Sequence, residues 1–213
     1  MSPSPPSAPV PAYVPSSHAE DAAALLFRTL GHYRTAQAAM RTATRPRRLR
    51  RVPVNPAQEQ AQATLVRMLS ITEGFTGDTL LRHAEPLARA SPHAVAFAVY
   101  DDAAIAAVRD WQAMRSAYRR WLEVKWQDSD YEPVHTLAEA RNAIVHGLGT
   151  LTRQQTRKDT SGLRTKLAAA KATVGADDSL VLPEEFIVEA TWTCRRFVRH
   201  VDEQAQRRPE RRR

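Results

Sequence analysis

Cysteine is almost absent from this chain, since Cys194 is its single representative. One cysteine excludes an internal disulfide, so we expect a reduced, cytoplasmic protein. Glycine is scarce while Ala and Leu are plentiful, and this composition favours helices over a turn-rich β fold. No run approaches the ~18 apolar residues of a membrane span, and residues 1–19 lack the basic and apolar regions of a signal peptide.

The net charge of +8 comes from two local runs of arginine, one internal and one at the C-terminus. These runs contain Arg45, Arg47, Arg48, Arg50 and Arg51, and Arg207, Arg208, Arg211, Arg212 and Arg213. Without both runs, the second of which also contains Glu210, the chain holds 21 basic and 22 acidic residues, so the remaining body is nearly neutral. Such runs attract polyanions through counterion release, and the internal run is a candidate nucleic-acid contact. A solvated linker and a frayed tail have the same composition, so that alternative stays open.

Helical periodicity extends through most of the chain after a proline-rich start. Residues 1–16 contain six prolines and no periodicity, which predicts a disordered leader. Helix starts are predicted by a capping box at Ser17 and by Asn55-Pro56, an asparagine cap followed by a first-turn proline. We therefore predict an all-α fold, a helical bundle of four or five main helices over 17–206 with a basic tail over 207–213.

Local signals also predict where individual helices break and which faces they bury. Gly74 and Gly77 are expected to interrupt the second helix, and Asp101-Asp102 to start another. Large apolar residues share one helical face over 102–126 and are most simply core: Val108, Trp111, Met114, Tyr118, Trp121 and Leu122. Cys194 falls in the apolar stripe of the last predicted helix, so we interpret it as a core residue and not as a nucleophile.

The densest group of polar residues lies on the predicted helix that ends with Gly147 as its C′ residue. At ~100° per residue, four of these residues fall within roughly 60° of one another on one face. They are His135, Glu139, Asn142 and His146. Arg141 lies about 140° away from His146 on the same helix. A substrate that both residues contact must therefore sit at the helix end or between two copies of the helix.

The segment from Arg141 to Gly147, Arg-Asn-Ala-Ile-Val-His-Gly, resembles the signature of the HEPN superfamily. That signature is Arg, four to six residues and His, often with a polar residue directly after the Arg. Arg141, Asn142 and His146 match these positions, and the resemblance covers about 55–206. It implies a small helical bundle similar to the stand-alone HEPN proteins of bacterial toxin and phage-defence loci.

The resemblance also implies an activity, a metal-independent endoribonuclease that requires no cofactor. Proteins of this kind dimerise so that two copies of the motif face each other, which implies a homodimer formed through the motif-bearing helix. RNA is then the expected substrate, and an antitoxin or regulatory protein is the expected restraining partner.

The residue types of the motif suit cleavage of RNA by its own 2′-hydroxyl. Histidine has an ordinary pKa of about 6.5 and exchanges protons at physiological pH, so His146 is the candidate general acid or base. Arg141 is the candidate phosphate ligand, because a guanidinium donates a fork of hydrogen bonds to phosphate oxygens as negative charge builds up. Asn142 is the candidate residue that orients the imidazole or the phosphate.

Other interpretations of the same residues stay open. His146 near a helix C-terminus interacts favourably with the helix dipole without any catalysis. Arg141 can pair with a carboxylate of another helix, because its own helix offers none three or four residues away. A non-catalytic HEPN module would bind nucleic acid without cutting it. His135, Glu139 and His146 can also be considered as ligands of a metal site, and the arginines at 45–51 as a DNA-binding arm, although no recognition-helix pattern accompanies them.

Overall fold

The computed structural model describes residues 12–42, 55–158 and 160–207. Over these residues the chain forms eight helices: α1 (Ser17–Thr42), α2 (Pro56–Arg89), α3 (Ala94–Ala107), α4 (Trp111–Trp121), α5 (Asp128–Gly147), α6 (Arg153–Lys158), α7 (Thr160–Ala169) and α8 (Glu184–Gln206). Two short strands, β1 (Thr173–Val174) and β2 (Leu180–Val181), pair antiparallel with Thr173 opposite Val181. The predicted all-α bundle is confirmed.

The centre of the bundle is formed by α1, α2 and α8, and α5 packs against α2 and α8. The predicted stripe on α4 is core: Trp111, Met114, Tyr118 and Leu122 are buried, while Val108 and Trp121 are partly buried. Cys194 is fully buried on α8, as predicted, and burial raises the pKa of its thiol to about 12. Within the described residues, no helix combines the length and the apolar character needed to cross a membrane.

The two predicted helix starts differ in outcome. Asn55 caps α2 as predicted, because its side chain accepts a hydrogen bond from the Gln58 amide at 3.2 Å. The cap of α1 is Ser16 and not Ser17, since the Ser16 hydroxyl oxygen accepts from the Ala19 amide at 3.2 Å. Ser16 also donates its own amide and hydroxyl to the buried carboxylate of Asp202 on α8. This contact explains why Ser16, and not Ser17, caps the helix.

The segment that precedes α1 is therefore attached to the bundle. Tyr13 donates its hydroxyl to the same Asp202 carboxylate at 2.7 Å. Tyr13 and Ser16, at the end of the predicted leader, are thus bound to one buried carboxylate, and their polar groups satisfy its oxygens. Residues 1–11 lie outside the described part of the chain, as do the predicted nucleic-acid-binding arginines 45–51 and the tail beyond Arg207. Arg207 itself pairs with Glu203 at 2.6 Å.

Three predicted helix breaks are wrong. α2 continues through Gly74 and Gly77, and a Cβ at Gly77 would lie 3.3 Å from Val108, so this glycine lets the end of α3 approach α2. α3 continues through Asp101-Asp102. The segment 102–126 is divided instead after α3, where Asp110 caps α4 by accepting from the Ala113 amide at 2.8 Å.

Candidate functional site

The helix α5 carries the predicted site because its two faces differ in polarity. Its inner face is apolar and buried at Val134, Leu137, Ala140 and Ala143. Its outer face holds the four polar residues that the helical spacing groups together. This division fixes the direction of the polar side chains, because burial of the inner face holds the helix in one rotation.

The end of α5 differs from the predicted one. Gly147 is still helical, and the residue that adopts the left-handed conformation is Leu148, with φ of 53°. Leu148 is followed by Gly149 with φ of 88°, whose amide donates to the Ala143 carbonyl at 3.1 Å. The Gly149 carbonyl then accepts from the Leu180 amide at 2.8 Å, which ties the turn to β2. The chain thus turns back so that the following residues face the polar side of α5.

A cleft of about 780 Å³ lies between α5 and this returning chain. One wall is the polar face of α5, with His135, Glu139, Asn142 and His146, as the helical spacing predicts. The other wall comes from residues 152–155, at the start of α6, and from residues of α7 between 162 and 166. Arg153 and Lys166 bring positive charge to this wall, and Lys166 pairs with Glu132 at 2.8 Å.

Gln155 holds the two walls of the cleft together. Its side-chain NH₂ donates to the Glu139 carboxylate at 2.7 Å and to the Glu139 carbonyl at 2.9 Å. Its side-chain oxygen accepts from the amide and the hydroxyl of Thr152, at 2.9 and 3.0 Å. Gln155 is 8% exposed, so these bonds are formed almost out of water. Gln155 therefore positions Glu139 and the start of α6 at once.

Gln155 was not among the predicted site residues, although the sequence carries a signal for it. Thr152-x-x-Gln155 has the spacing of a capping box, and the Gln155 amide completes that box by donating to the Thr152 hydroxyl at 3.3 Å. The spacing locates the start of α6. It cannot show that the same glutamine reaches Glu139, sixteen residues earlier, because this contact depends on how α6 packs on α5.

We expect Gln155→Leu to lower the free energy of unfolding by about 1–3 kcal/mol, because it leaves groups of Glu139 and Thr152 without partners. Gln154→Leu is the matched control, since Gln154 is exposed and should change this free energy by less than ~0.5 kcal/mol. Urea unfolding followed by circular dichroism measures both variants. Equal effects of the two substitutions would show that Gln155 does not hold the walls together.

Arg141 lies outside the cleft and is bound to α2. Its guanidinium donates from one nitrogen to both carboxylate oxygens of Glu73, at 2.6 and 2.7 Å. The two side chains are 26% and 24% exposed. The interpretation of Arg141 as the partner of a carboxylate on another helix is therefore confirmed. His146 lines the cleft and Arg141 does not, which agrees with the angle of about 140° between them on the helix.

Asn142 is the residue that connects the ion pair to the cleft. It lines the cleft, and its side-chain oxygen accepts from the other terminal nitrogen of Arg141 at 3.4 Å. His146 lines the same cleft and is exposed. The structure thus brings Asn142 and His146 together in one cleft and places Arg141 beside that cleft, one residue away.

The alternative metal site receives no support from the geometry. His135 approaches Glu139 only to 3.8 Å, and that carboxylate is bound by Gln155. Across 12–42, 55–158 and 160–207, no three His, Cys, Asp or Glu side chains are grouped so that they could hold a metal ion.

No protein-family model matches the chain, and searches of curated proteins and of solved structures found no match. The resemblance to the HEPN superfamily thus continues to depend on the segment Arg141–Gly147 and on its position at the end of a helix in an all-α bundle.

Proposed function

We propose that the protein is a metal-independent endoribonuclease of the HEPN type and that the cleft along α5 is its active site. The observation that carries this proposal is the position of His146. It is exposed and lines a polar cleft, one helical turn from Asn142, within a segment that has the HEPN pattern. An exposed imidazole in a cleft can reach both a phosphodiester and the solvent.

In the proposed reaction the 2′-hydroxyl of the substrate attacks the adjacent phosphorus. A base accepts the hydroxyl proton, the bond from phosphorus to the 5′-oxygen breaks, and an acid gives that oxygen a proton. The products are a 2′,3′-cyclic phosphate and a free 5′-hydroxyl. His146 supplies one of the two proton transfers, since imidazole exchanges protons near neutral pH.

The second proton transfer is the reason to propose a homodimer. Glu139 lies about 10 Å from His146 along the helix axis, and Gln155 already binds its carboxylate, so Glu139 is a poor candidate for the second group. A second copy of α5 at the helix end brings a second His146 to the same phosphate. Val145 and Leu148 flank His146 there and are 46% and 94% exposed, an apolar surface that a second copy can cover.

Arg141 has its own place in this proposal. Arg141 directly precedes Asn142 in the helix. Its guanidinium is bound by Glu73 and also donates to the Asn142 side chain. A phosphate at the helix end offers the same paired oxygen acceptors as a carboxylate, so the proposed role of Arg141 is to exchange Glu73 for the phosphate as negative charge develops. An active nuclease of this kind in the cytoplasm also needs restraint, and we propose an antitoxin or regulatory protein as its partner.

The proposal is tested by incubating the purified protein with a structured RNA and a single-stranded RNA in the presence of EDTA. We expect both chelation and prolonged dialysis to leave cleavage intact, with products that end in 2′,3′-cyclic phosphate. The 2′-O-methyl form of the same RNA should remain whole, because it lacks the attacking hydroxyl. If no RNA is cut, the proposed activity is wrong.

One observation favours a second candidate function, a nucleic-acid-binding module that does not cut. The Arg141–Glu73 ion pair keeps the candidate phosphate ligand out of the cleft. If that pair persists when RNA is bound, the cleft retains His146 and Asn142 for binding but lacks the arginine for transition-state stabilisation. The same incubation separates the two functions, because this module retains RNA in a mobility-shift assay while leaving it uncut.

A further inference from the structure

A second cleft lies beside the first, and His135 lines both of them. Its volume is about 400 Å³, and it lies between α4, the segment after α4 and the first turns of α5. None of its cationic residues was among the predicted site residues. The shared histidine makes the two clefts neighbours along a single face of α5.

The second cleft carries positive charge that the nearby carboxylates do not neutralise. Arg119 and Lys125 line it and are exposed, and among the described residues neither forms an ion pair. Two of the neighbouring carboxylates, those of Asp128 and Glu132, already have partners. Asp128 pairs with Arg115 at 2.5 Å, and Glu132 pairs with Lys166 at 2.8 Å. Two uncompensated cations in a cleft attract an anionic ligand, because its counterions are released on binding.

Arg115 adds a feature that suits nucleic acid in particular. Its guanidinium carbon lies 4.4 Å from the centre of the Tyr131 ring, and its nitrogen is held by Asp128. The ring is buried, so its contact and the Asp128 pair together hold the planar guanidinium in the lining of the cleft. A fixed guanidinium plane can stack a nucleobase, which is how arginine contributes to the binding of single strands.

The two clefts together have the length of a short oligonucleotide. From His146 to Glu132 the polar face of α5 covers fourteen residues, or about 21 Å. At the ~3.4 Å rise of stacked nucleotides this length corresponds to about six nucleotides. The two clefts, of about 780 and about 400 Å³, are the places along this face that segments of one strand would occupy.

We infer that a single-stranded RNA of about six nucleotides lies along α5 from His146, across His135, to the second cleft. Arg119 and Lys125 bind phosphates several nucleotides away from the bond that is cut. This inference depends on the proposed function for the nature of the ligand, and it adds a substrate class and a second subsite. Short RNA occupies only the first cleft, whereas longer RNA occupies both.

The test compares 2′-O-methyl oligouridylates of three and nine nucleotides by fluorescence anisotropy. We expect the wild-type protein to bind the nine-mer more tightly than the three-mer. Arg119→Glu with Lys125→Glu should weaken nine-mer binding about tenfold or more, and three-mer binding much less. The slope of log affinity against log salt for the nine-mer should fall by about 1.4, the value for two single-strand phosphate contacts.

Arg28→Glu with Arg67→Glu is the matched control, since it makes the same charge change at exposed residues that line neither cleft. Equal weakening by both double variants, or none by the first, would overturn the second subsite. Cleavage of the unmodified nine-mer in EDTA is measured on the same wild-type sample. Tight, variant-sensitive binding without cleavage would support the subsite and contradict the nuclease. Cleavage of the nine-mer would support the nuclease. If the Arg119 and Lys125 variant then weakened binding no more than the control variant does, the subsite would be contradicted.

Discussion

Replacing His146 with alanine is expected to lower the rate of RNA cleavage by about 10²–10⁴-fold, the usual contribution of a positioned general acid or base. The residue is exposed and lines the cleft, so removal of its side chain takes away no core contact. The free energy of unfolding should therefore change by less than ~0.5 kcal/mol. Single-turnover cleavage of a labelled RNA and urea unfolding measure the two effects separately.

The control for this substitution is His32→Ala. His32 is also an exposed histidine on a helix, but it belongs to α1 and lines neither cleft. We expect it to cleave RNA at the wild-type rate and to unfold as the wild type does. Full activity in His146→Ala would exclude this residue from the reaction. Loss of activity in both variants would point to a general change in the protein, and full activity in both would point to a contaminating nuclease.

The second large effect is expected at Arg141. Arg141→Ala should lower the free energy of unfolding by about 1–3 kcal/mol, because it leaves the Glu73 carboxylate without its partner. This value lies below the 3–5 kcal/mol typical of fully buried pairs, since about a quarter of each side chain is in contact with water. If Arg141 also binds the phosphate, cleavage should fall by about 10²–10³-fold.

Glu73→Gln separates the two roles of Arg141. This substitution removes the charge of the partner but keeps its shape, so Arg141 is held less tightly and remains available to a phosphate. We expect lower stability than the wild type with cleavage that is equal or faster. Equal losses of cleavage in Glu73→Gln and Arg141→Ala would mean that Arg141 acts only by holding α5 against α2. Both variants are measured at a temperature where each is folded.

Features that depend on residues close together along the chain could be predicted from the sequence. Helical spacing placed His135, Glu139, Asn142 and His146 on one face, and they line one cleft. It also separated Arg141 from His146, which agrees with the binding of Arg141 to another helix. The apolar stripe of α4, the burial of Cys194 and the Asn55 cap follow from the same kind of information. Periodicity and capping are local, so the sequence contains them directly.

The wrong predictions concern signals that packing overrides. Gly74 and Gly77 weaken a helix in isolation, yet α2 continues through both because its buried face is held by other helices. Leu148 adopts the left-handed conformation although glycine is the usual residue there, since the following turn is tied to β2. Ser16 replaces Ser17 as the cap because Asp202, far away in sequence, binds it.

The sequence by itself determined the fold class, the polar face of α5 and the motif at its end, because these follow from residue type and from spacing along one helix. Only the tertiary structure decided the opposing wall of the cleft with Gln155, the choice of Glu73 as the partner of Arg141 and the second cleft with Arg119 and Lys125. Each of these three features is formed by residues that lie in different elements. Their association depends on how the buried faces pack, and spacing along one helix carries no information about that packing.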